Sequence, residues 1–352
     1  MLGKKTEEIT KNYQIPKEKY VLISEFDKNK SWKEIFETKT EIKKDHKGNR
    51  YGTLRFTEMF FYEGETVDGK MEGKGLLYKK KEGLIYVGSF KNNHMFGKGE
   101  RFWSNGDKFT GYFENSLREG EGEVIIKDIG RYKGQFKLDN KHGLGAMYFD
   151  DKGIYEGFWD KDKPNNFGLF RALDKSNFAG EWLENQRNGF GVYENKEGIF
   201  IGYWINNKLN GNAIIFFSNS SYEGEMINNV RHGFGRFENE NIIYEGYFVE
   251  GKFEGHGKLF QKKIHINYVG SFKENYPHGQ GALESHTGLK LKGNFKYGSV
   301  CGVSNIYEND EMIINLKFIR GRLNFFECFD EKHKYLENEL ENIFPVLKTQ
   351  KK

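Results

Sequence analysis

Residues 86–99 read YVGSFKNNHMFGKG: Tyr86, one residue, Gly88, one residue, Phe90, a polar turn, then Gly97, one residue, Gly99. The same figure returns from Tyr62, Phe109, Tyr132, Tyr155, Phe178, Phe200, Tyr222, Tyr244, Tyr268 and, more faintly, Leu291, at intervals of 22 to 24 residues. Such a period is the signature of a repeat array. From the first aromatic to the first Gly of the second pair is always 11 residues, as in Tyr86 to Gly97 and Tyr244 to Gly255, so the length variation falls between copies. A fixed interval means a fixed register. Each copy is predicted to be one β-hairpin turning at Lys91, Asn92 and Asn93 or their equivalents.

Alternation along a strand puts Tyr86, Gly88 and Phe90 on one face, as it does Tyr132, Gly134 and Phe136 or Tyr244, Gly246 and Phe248. Two rings then bracket a surface without side chains, and Gly97 and Gly99 extend that surface onto the returning strand. Rings from neighbouring hairpins are expected to lie on this bare backbone, where any Cβ would obstruct them. The 43 Gly among 352 residues, beside only 4 Pro, therefore serve packing.

These residues resemble the MORN (membrane occupation and recognition nexus) repeat, whose pattern is Tyr-x-Gly-x-aromatic, a short turn, then Gly-x-Gly. Eleven copies run from residue 62 to about 310, with Gly at the third position of every one. Thr66 and Met226 replace the second aromatic, Asn166 replaces a Gly, and Ala213 and Ser304 replace the final Gly, which predicts looser packing at those places. A twelfth figure, Ile314, Leu316 and Phe318, keeps the alternation without the Gly, as a capping unit would. The resemblance implies an elongated array of β-hairpins used as a cytoskeletal, ciliary or membrane-associated scaffold, often self-associating.

The expected fold is thus all-β: an elongated single-layer array of antiparallel β-hairpins over 62–328, a non-repeat N-terminal α+β cap over 1–61, and a C-terminal amphipathic helix and tail over 329–352. At 37% hydrophobic and 30% charged, the chain is short of the aliphatic residues that a large globular core needs. An array, advancing about 10 Å per hairpin, needs no such core. In the N-terminal segment, residues 20–23 (YVLI) read as a strand, residues 31–34 (SWKE) as a capping box opening a short helix, and residues 39–50 as charged linker. The segment serves as a cap on the first hairpin's edge or as a docking arm. At the other end, Asp330 opens a helix over 331–344 with Leu336, Leu340, Ile343 and Phe344 on one side, suited to packing on the last hairpins or to pairing with a second chain as a homodimer.

Charge bounds the partners. The repeat body carries 36 basic and 36 acidic residues, and a neutral body lacks the basic stripe that nucleic acid requires. Lys79, Lys80 and Lys81 form its one basic run, a solvated loop or a contact for acidic phospholipid or an acidic partner. Two cysteines, Cys301 and Cys328, and no long apolar run point to a reducing, cytoplasmic location. Recurrent histidines (His142, His232, His256, His278) are spaced by whole repeats, about 10 Å or more apart, too far to share one ion. There is no phosphate loop, no nucleophile elbow and no His-Glu-x-x-His. Neither enzyme activity nor any cofactor or metal is expected.

One pattern points to a binding face. The residue between Gly and the second aromatic lies on the opposite side of the sheet, and in alternate copies it is Tyr112, Phe158, Tyr203 and Tyr247, with Gln135, Glu181 and Glu225 between them. Such a stripe is a secondary packing layer or a docking line for an extended protein partner. The function expected is a non-enzymatic scaffold of a cytoskeletal or ciliary (axonemal) assembly, with peripheral binding to acidic phospholipids (phosphoinositides) as the alternative.

Overall fold

The computed structural model describes residues 43–44, 50–57, 60–79, 81–319, 322–329 and 331–345. The strand expected at 20–23, the helix expected from 31, and Lys80 lie outside them. The chain divides into two compact units, one ending at Leu117 and the other beginning at Arg118.

In the first unit, β1 (Lys43–Lys44), β2 (Arg50–Thr57), β3 (Phe60–Val67), β4 (Lys70–Lys79), β5 (Leu84–Lys91), β6 (His94–Trp103) and β7 (Lys108–Glu114) each pair antiparallel with the next. Strand β2 falls within the segment expected to be a non-repeat cap. It sets Gly52 opposite Gly64 and Leu54 opposite Tyr62, so the hairpin register begins one strand before Tyr62. With Arg50 where the first Gly of the second pair should stand, the sequence pattern hides that strand.

The second unit holds β8 (Leu117–Ile126, from its second residue), β9 (Gly130–Lys137), β10 (Asn140–Phe149), β11 (Gly153–Asp160), β12 (Lys163–Ala172), β13 (Asn177–Leu183), β14 (Gln186–Asn195), β15 (Gly198–Ile205) and β16 (Lys208–Phe217). It continues through β17 (Ser220–Ile227), β18 (Val230–Asn239), β19 (Ile242–Val249), β20 (Lys252–Gln261), β21 (Ile266–Lys273), β22 (Tyr276–Glu284), β23 (Lys290–Lys296), β24 (Ser299–Glu308), β25 (Glu311–Ile319) and β26 (Arg322–Cys328). Here too each strand pairs antiparallel with its successor, from β8–β9 to β25–β26.

The first aromatic of a repeat lies on the glycine pair of its own hairpin, not on a neighbour's as the sequence suggested. Gly88 and Gly99 face each other across β5 and β6, and a Cβ built on either would fall within 3 Å of the Tyr86 ring. Gly134 and Gly145 stand in the same relation to Tyr132. The ring then folds back far enough for its hydroxyl to donate to the carbonyl three residues on: Tyr86 to Ser89 at 3.0 Å, Tyr132 to Gln135 at 3.0 Å and Tyr244 to Tyr247 at 2.9 Å. Burial pushes the Tyr222 and Tyr268 phenols up to about 12. What ties neighbouring hairpins together is the second aromatic, which stands edge-on between successive first aromatics. Phe90 is 5.0 Å from Tyr62 and 5.1 Å from Tyr86; Trp159 is 5.1 Å from Tyr132 and 5.2 Å from Tyr155. Each such contact adds about 0.5–1.5 kcal/mol beyond the area it buries.

A second tie runs along the hairpin tips. The two-residue turns place both residues at positive φ, as at Asn92 (48°) and Asn93 (71°), which favours Asn, Asp and Gly. The second turn residue then bonds the preceding hairpin twice. Asn229 N–H donates to the Leu209 carbonyl at 3.0 Å, and its Oδ1 accepts from Leu209 N–H at 2.7 Å. Asn93 with Met71, Asp139 with Arg118 and Asn275 with Phe253 repeat the arrangement. Pro164 and Pro277 occupy the receiving position in two repeats; having no N–H, they keep only the carbonyl half, from Asn185 and Gly298.

The departures from the repeat pattern fare differently. Asn166 adopts φ 60° where other copies carry Gly, such as Gly143 at 58°, so the bulge there is intact rather than loose. Ser304 is buried because Leu291 brings no ring to be displaced. Ala213 does loosen the packing. Its methyl occupies the place of the missing ring beside Gly202, and Phe200 is only half-buried while every other first-position side chain is at most 2% exposed.

At the C-terminal end, Ile314, Leu316 and Phe318 of β25 are buried. The helix α1 (Leu336–Ile343) is shorter than expected, because residues 331–333 form a 3-10 turn whose His333 Nε2 lies 3.1 Å from Glu308. Its apolar side is covered within the chain: Leu336, Leu340 and Phe344 join one core with β23 to β25.

The tip ladder gives a paired test. Asn229→Ala and Asn185→Ala impose the same strain at positive φ, but only the first leaves a main-chain N–H, that of Leu209, without its acceptor. Thermal unfolding should show Asn229→Ala less stable than Asn185→Ala by about 1 kcal/mol, and equal midpoints would contradict the ladder.

Candidate functional site

The face opposite the glycines is built from the residue that follows the third-position Gly and from the residue between the two glycines of the returning strand. In several repeats the first of these is Glu or Gln, and its side chain turns in to satisfy the bulge. Glu65 accepts from Lys74 N–H at 3.2 Å, Gln135 from Leu144 N–H at 3.2 Å, Glu181 from Phe190 N–H at 3.1 Å and Glu225 from Phe234 N–H at 3.3 Å. A Phe or Tyr at that place offers no carboxylate to the bulge. The alternation of acid and aromatic along the stripe is therefore an alternation of a structural residue with one that leaves its side chain to solvent.

The structure brings each stripe aromatic out into the open: Tyr112 is 43% exposed in the first unit, and Phe158, Tyr203 and Tyr247 are 40%, 57% and 52% exposed in the second. The register adds partners that the sequence reading did not single out. Leu144 lies opposite Phe158, Phe190 opposite Tyr203 and Phe234 opposite Tyr247. The Phe190 and Tyr203 rings are 5.5 Å apart, and those of Phe234 and Tyr247 5.7 Å. The signal was present in the Gly-Phe-Gly triplets at 189–191 and 233–235, whose central residue shares the parity of the stripe. In the first unit the residue opposite Tyr112 is Lys98, whose ammonium sits 5.3 Å over the ring.

Between the two aromatic pairs of the second unit the face sinks into a hollow of about 710 Å3 lined by Phe190, Ile201, Tyr203, Ile214 and Phe234, together with Glu223, Glu225, Glu245 and Arg236. Arg236 is engaged by Glu238 at 2.6 Å, which is joined by Lys262 at 2.8 Å, and these bonds hold the Glu238 carboxyl below its ordinary range. Glu223 and Glu245 lie opposite Arg236 in the register but form no ion pair among the described residues. The hollow is thus apolar at its walls and net acidic.

The remaining sequence candidates stay apart from this site. Lys79 forms an ion pair with Glu82 at 3.2 Å, which offsets the basic run, and Lys81 is exposed. His142 lies 3.3 Å from Asp160. Among the described residues no three His, Cys, Asp or Glu side chains come together as a metal site would require. Cys301 and Cys328 are half-buried free thiols.

A family model described as MORN repeat matches nine stretches, at 62–81, 86–108, 132–154, 155–172, 178–198, 200–221, 222–241, 244–261 and 268–290, which together make up more than half of the chain. No curated relative matches the sequence. A solved structure of the wild-type TCP10 domain of Danio rerio CPAP, in complex with a peptide of Danio rerio STIL, aligns over 80% of this chain and 100% of that one. Its identity is 11% and the TM-score 0.23, too low to carry any inference about this chain.

If the carboxylates are structural and the aromatics are not, Glu181→Ala should lower stability by about 1 kcal/mol through the bulge N–H of Phe190, while Tyr203→Ser should change it by less than about 0.5 kcal/mol. Urea unfolding followed by circular dichroism measures both, and a larger loss for Tyr203→Ser would make the stripe a packing layer.

Proposed function

The chain belongs to the MORN repeat family, and from that premise we propose that it is a non-enzymatic scaffold whose open face holds a protein partner of a cytoskeletal or ciliary assembly inside the cell. The observation that carries this reading is the exchange at the stripe: Phe158, Tyr203 and Tyr247 expose rings at the position where Glu181 and Glu225 bond the bulge. A sheet selected for stability alone would keep the acceptor, since such a bond is worth about 1 kcal/mol. Exposed Tyr and Phe grouped around a hollow are what binding faces use as anchors.

The chemistry of the hollow narrows the partner. Glu223, Glu225 and Glu245 beside Ile201 and Ile214 favour a segment that presents apolar side chains flanked by Lys or Arg. Acidic phospholipid is the weaker reading: the basic run it calls on is partly offset by Glu82, and the open hollow carries the wrong charge for anionic headgroups.

Affinity enrichment from native extract with the wild-type chain and with a Phe158→Ser, Tyr203→Ser, Tyr247→Ser variant tests the reading. The wild type should enrich cytoskeletal or ciliary proteins that the variant loses at least tenfold, with flotation on anionic vesicles absent for both. Retention of the same proteins by the variant, or salt-sensitive flotation of the wild type, would overturn it.

A further inference from the structure

The opposite, glycine face of the second unit also has an opening, and two departures from the repeat pattern make it together. Ala213 keeps Phe200 off the glycine surface; the ring turns instead toward Phe217 at 5.7 Å and Tyr193 at 5.9 Å. Met226 stands where the next repeat should place an aromatic ring edge-on against Phe200. One ring is displaced and its neighbour is missing. The result is a trough of about 660 Å3, with Phe200, Leu209, Ile215 and Met226 along its floor.

The trough is flanked by two arginines that have no carboxylate partner among the described residues. Arg187, at the start of β14, lies 4.5 Å over the Trp204 ring and donates to the Asn207 carbonyl at 3.1 Å. Arg231, at the start of β18, lies 4.9 Å over Phe237 and 5.5 Å over Phe248. Burial disfavours the charge on both guanidinium groups. Elsewhere in this unit the cation at that position is matched by a carboxylate on the next turn: Asp139 joins Arg118 at 2.8 Å, and Asp162 acts on Lys141. At the two arginines of the trough the turn residue is Asn207 and Gly251 instead. The acid that does line the trough, Glu197, is exposed and sits at the opposite end of the strands, where β14 passes to β15.

We propose that this trough binds a small anionic amphiphile, with a carboxylate head taken by one of the two guanidinium groups and a linear apolar body lying over Phe200, Ile215 and Met226. A guanidinium stacked on rings with no carboxylate beside it still has N–H donors to offer an anion. The guanidinium fork suits a carboxylate in two-point contact, and the apolar floor supplies the rest of the binding free energy. The site is independent of the partner-binding face, because it uses the other side of the sheet.

Two substitutions that restore the repeat pattern, Ala213→Gly with Met226→Phe, let Phe200 lie down and refill the gap while keeping both arginines, Arg231 lying opposite position 226 in the register. Calorimetric titration of the full chain with decanoate, decylammonium and decanol reads the site. The wild type should bind decanoate saturably at one site per chain, and decylammonium and decanol at least tenfold more weakly. Arg187→Gln with Arg231→Gln should weaken decanoate at least tenfold. The refilled variant should lose decanoate while its thermal midpoint is unchanged or raised. No saturable decanoate binding by the wild type, equal binding of decylammonium, or undiminished decanoate binding by the refilled variant would each overturn the proposal.

Discussion

Everything in this protein depends on a ring lying where two side chains are missing. In most of the hairpins two glycines face each other and the Tyr or Phe of the same hairpin covers both, closely enough that a Cβ on either would collide with it; Gly202 and Gly293 instead face Ala213 and Ser304. The constraint is severe because it is reciprocal: the ring needs bare backbone, and bare backbone in a strand needs a ring to exclude water from it. Once the first ring is down, the second aromatic has one place to stand, on edge between successive first rings. Order passes from hairpin to hairpin within each unit through that ladder and through the paired bonds at the tips.

Saturating one face in this way frees the other. The residue opposite the glycines is not needed for the ring layer, and from Tyr112 to Tyr247 the chain alternates there between an aromatic that leaves its ring exposed and a Glu or Gln that serves the bulge. Where the ring layer itself fails, at Ala213 and Met226, the glycine face also acquires a hollow. The two openings described both lie around β14 to β19, where Ala213 and Met226 depart from the repeat pattern.

Much of this was legible in the sequence because the physics is local. The 11-residue interval from Tyr86 to Gly97 gives the hairpin and its register, and the alternation of Tyr86, Gly88 and Phe90 gives the buried face. Which glycine pair a ring covers was not legible, because lying back on its own hairpin or across to the next depends on a side-chain torsion that spacing does not encode. The tip ladder escaped for a related reason: Asn229 and Leu209 meet only after the turn adopts positive φ and the hairpins are side by side. Strand β2 was missed because Arg50 breaks the glycine pattern. At the open face, Tyr203 and Tyr247 were visible from parity alone, whereas Phe190 and Phe234 were hidden among the glycines that flank them. The trough needed two substitutions in different repeats to be seen as neighbours in space.

Nuclear magnetic resonance of the full chain with isotopically labelled glycine reads the position of the rings over the glycines directly. A ring face shifts the Hα protons beneath it upfield. Gly88, Gly99, Gly134, Gly145, Gly246 and Gly257 should all be displaced upfield, while Gly202, from which Phe200 has turned away, and the loop glycine Gly288 should not. Unshifted resonances at the paired glycines, or a Gly202 displaced like the rest, would contradict it.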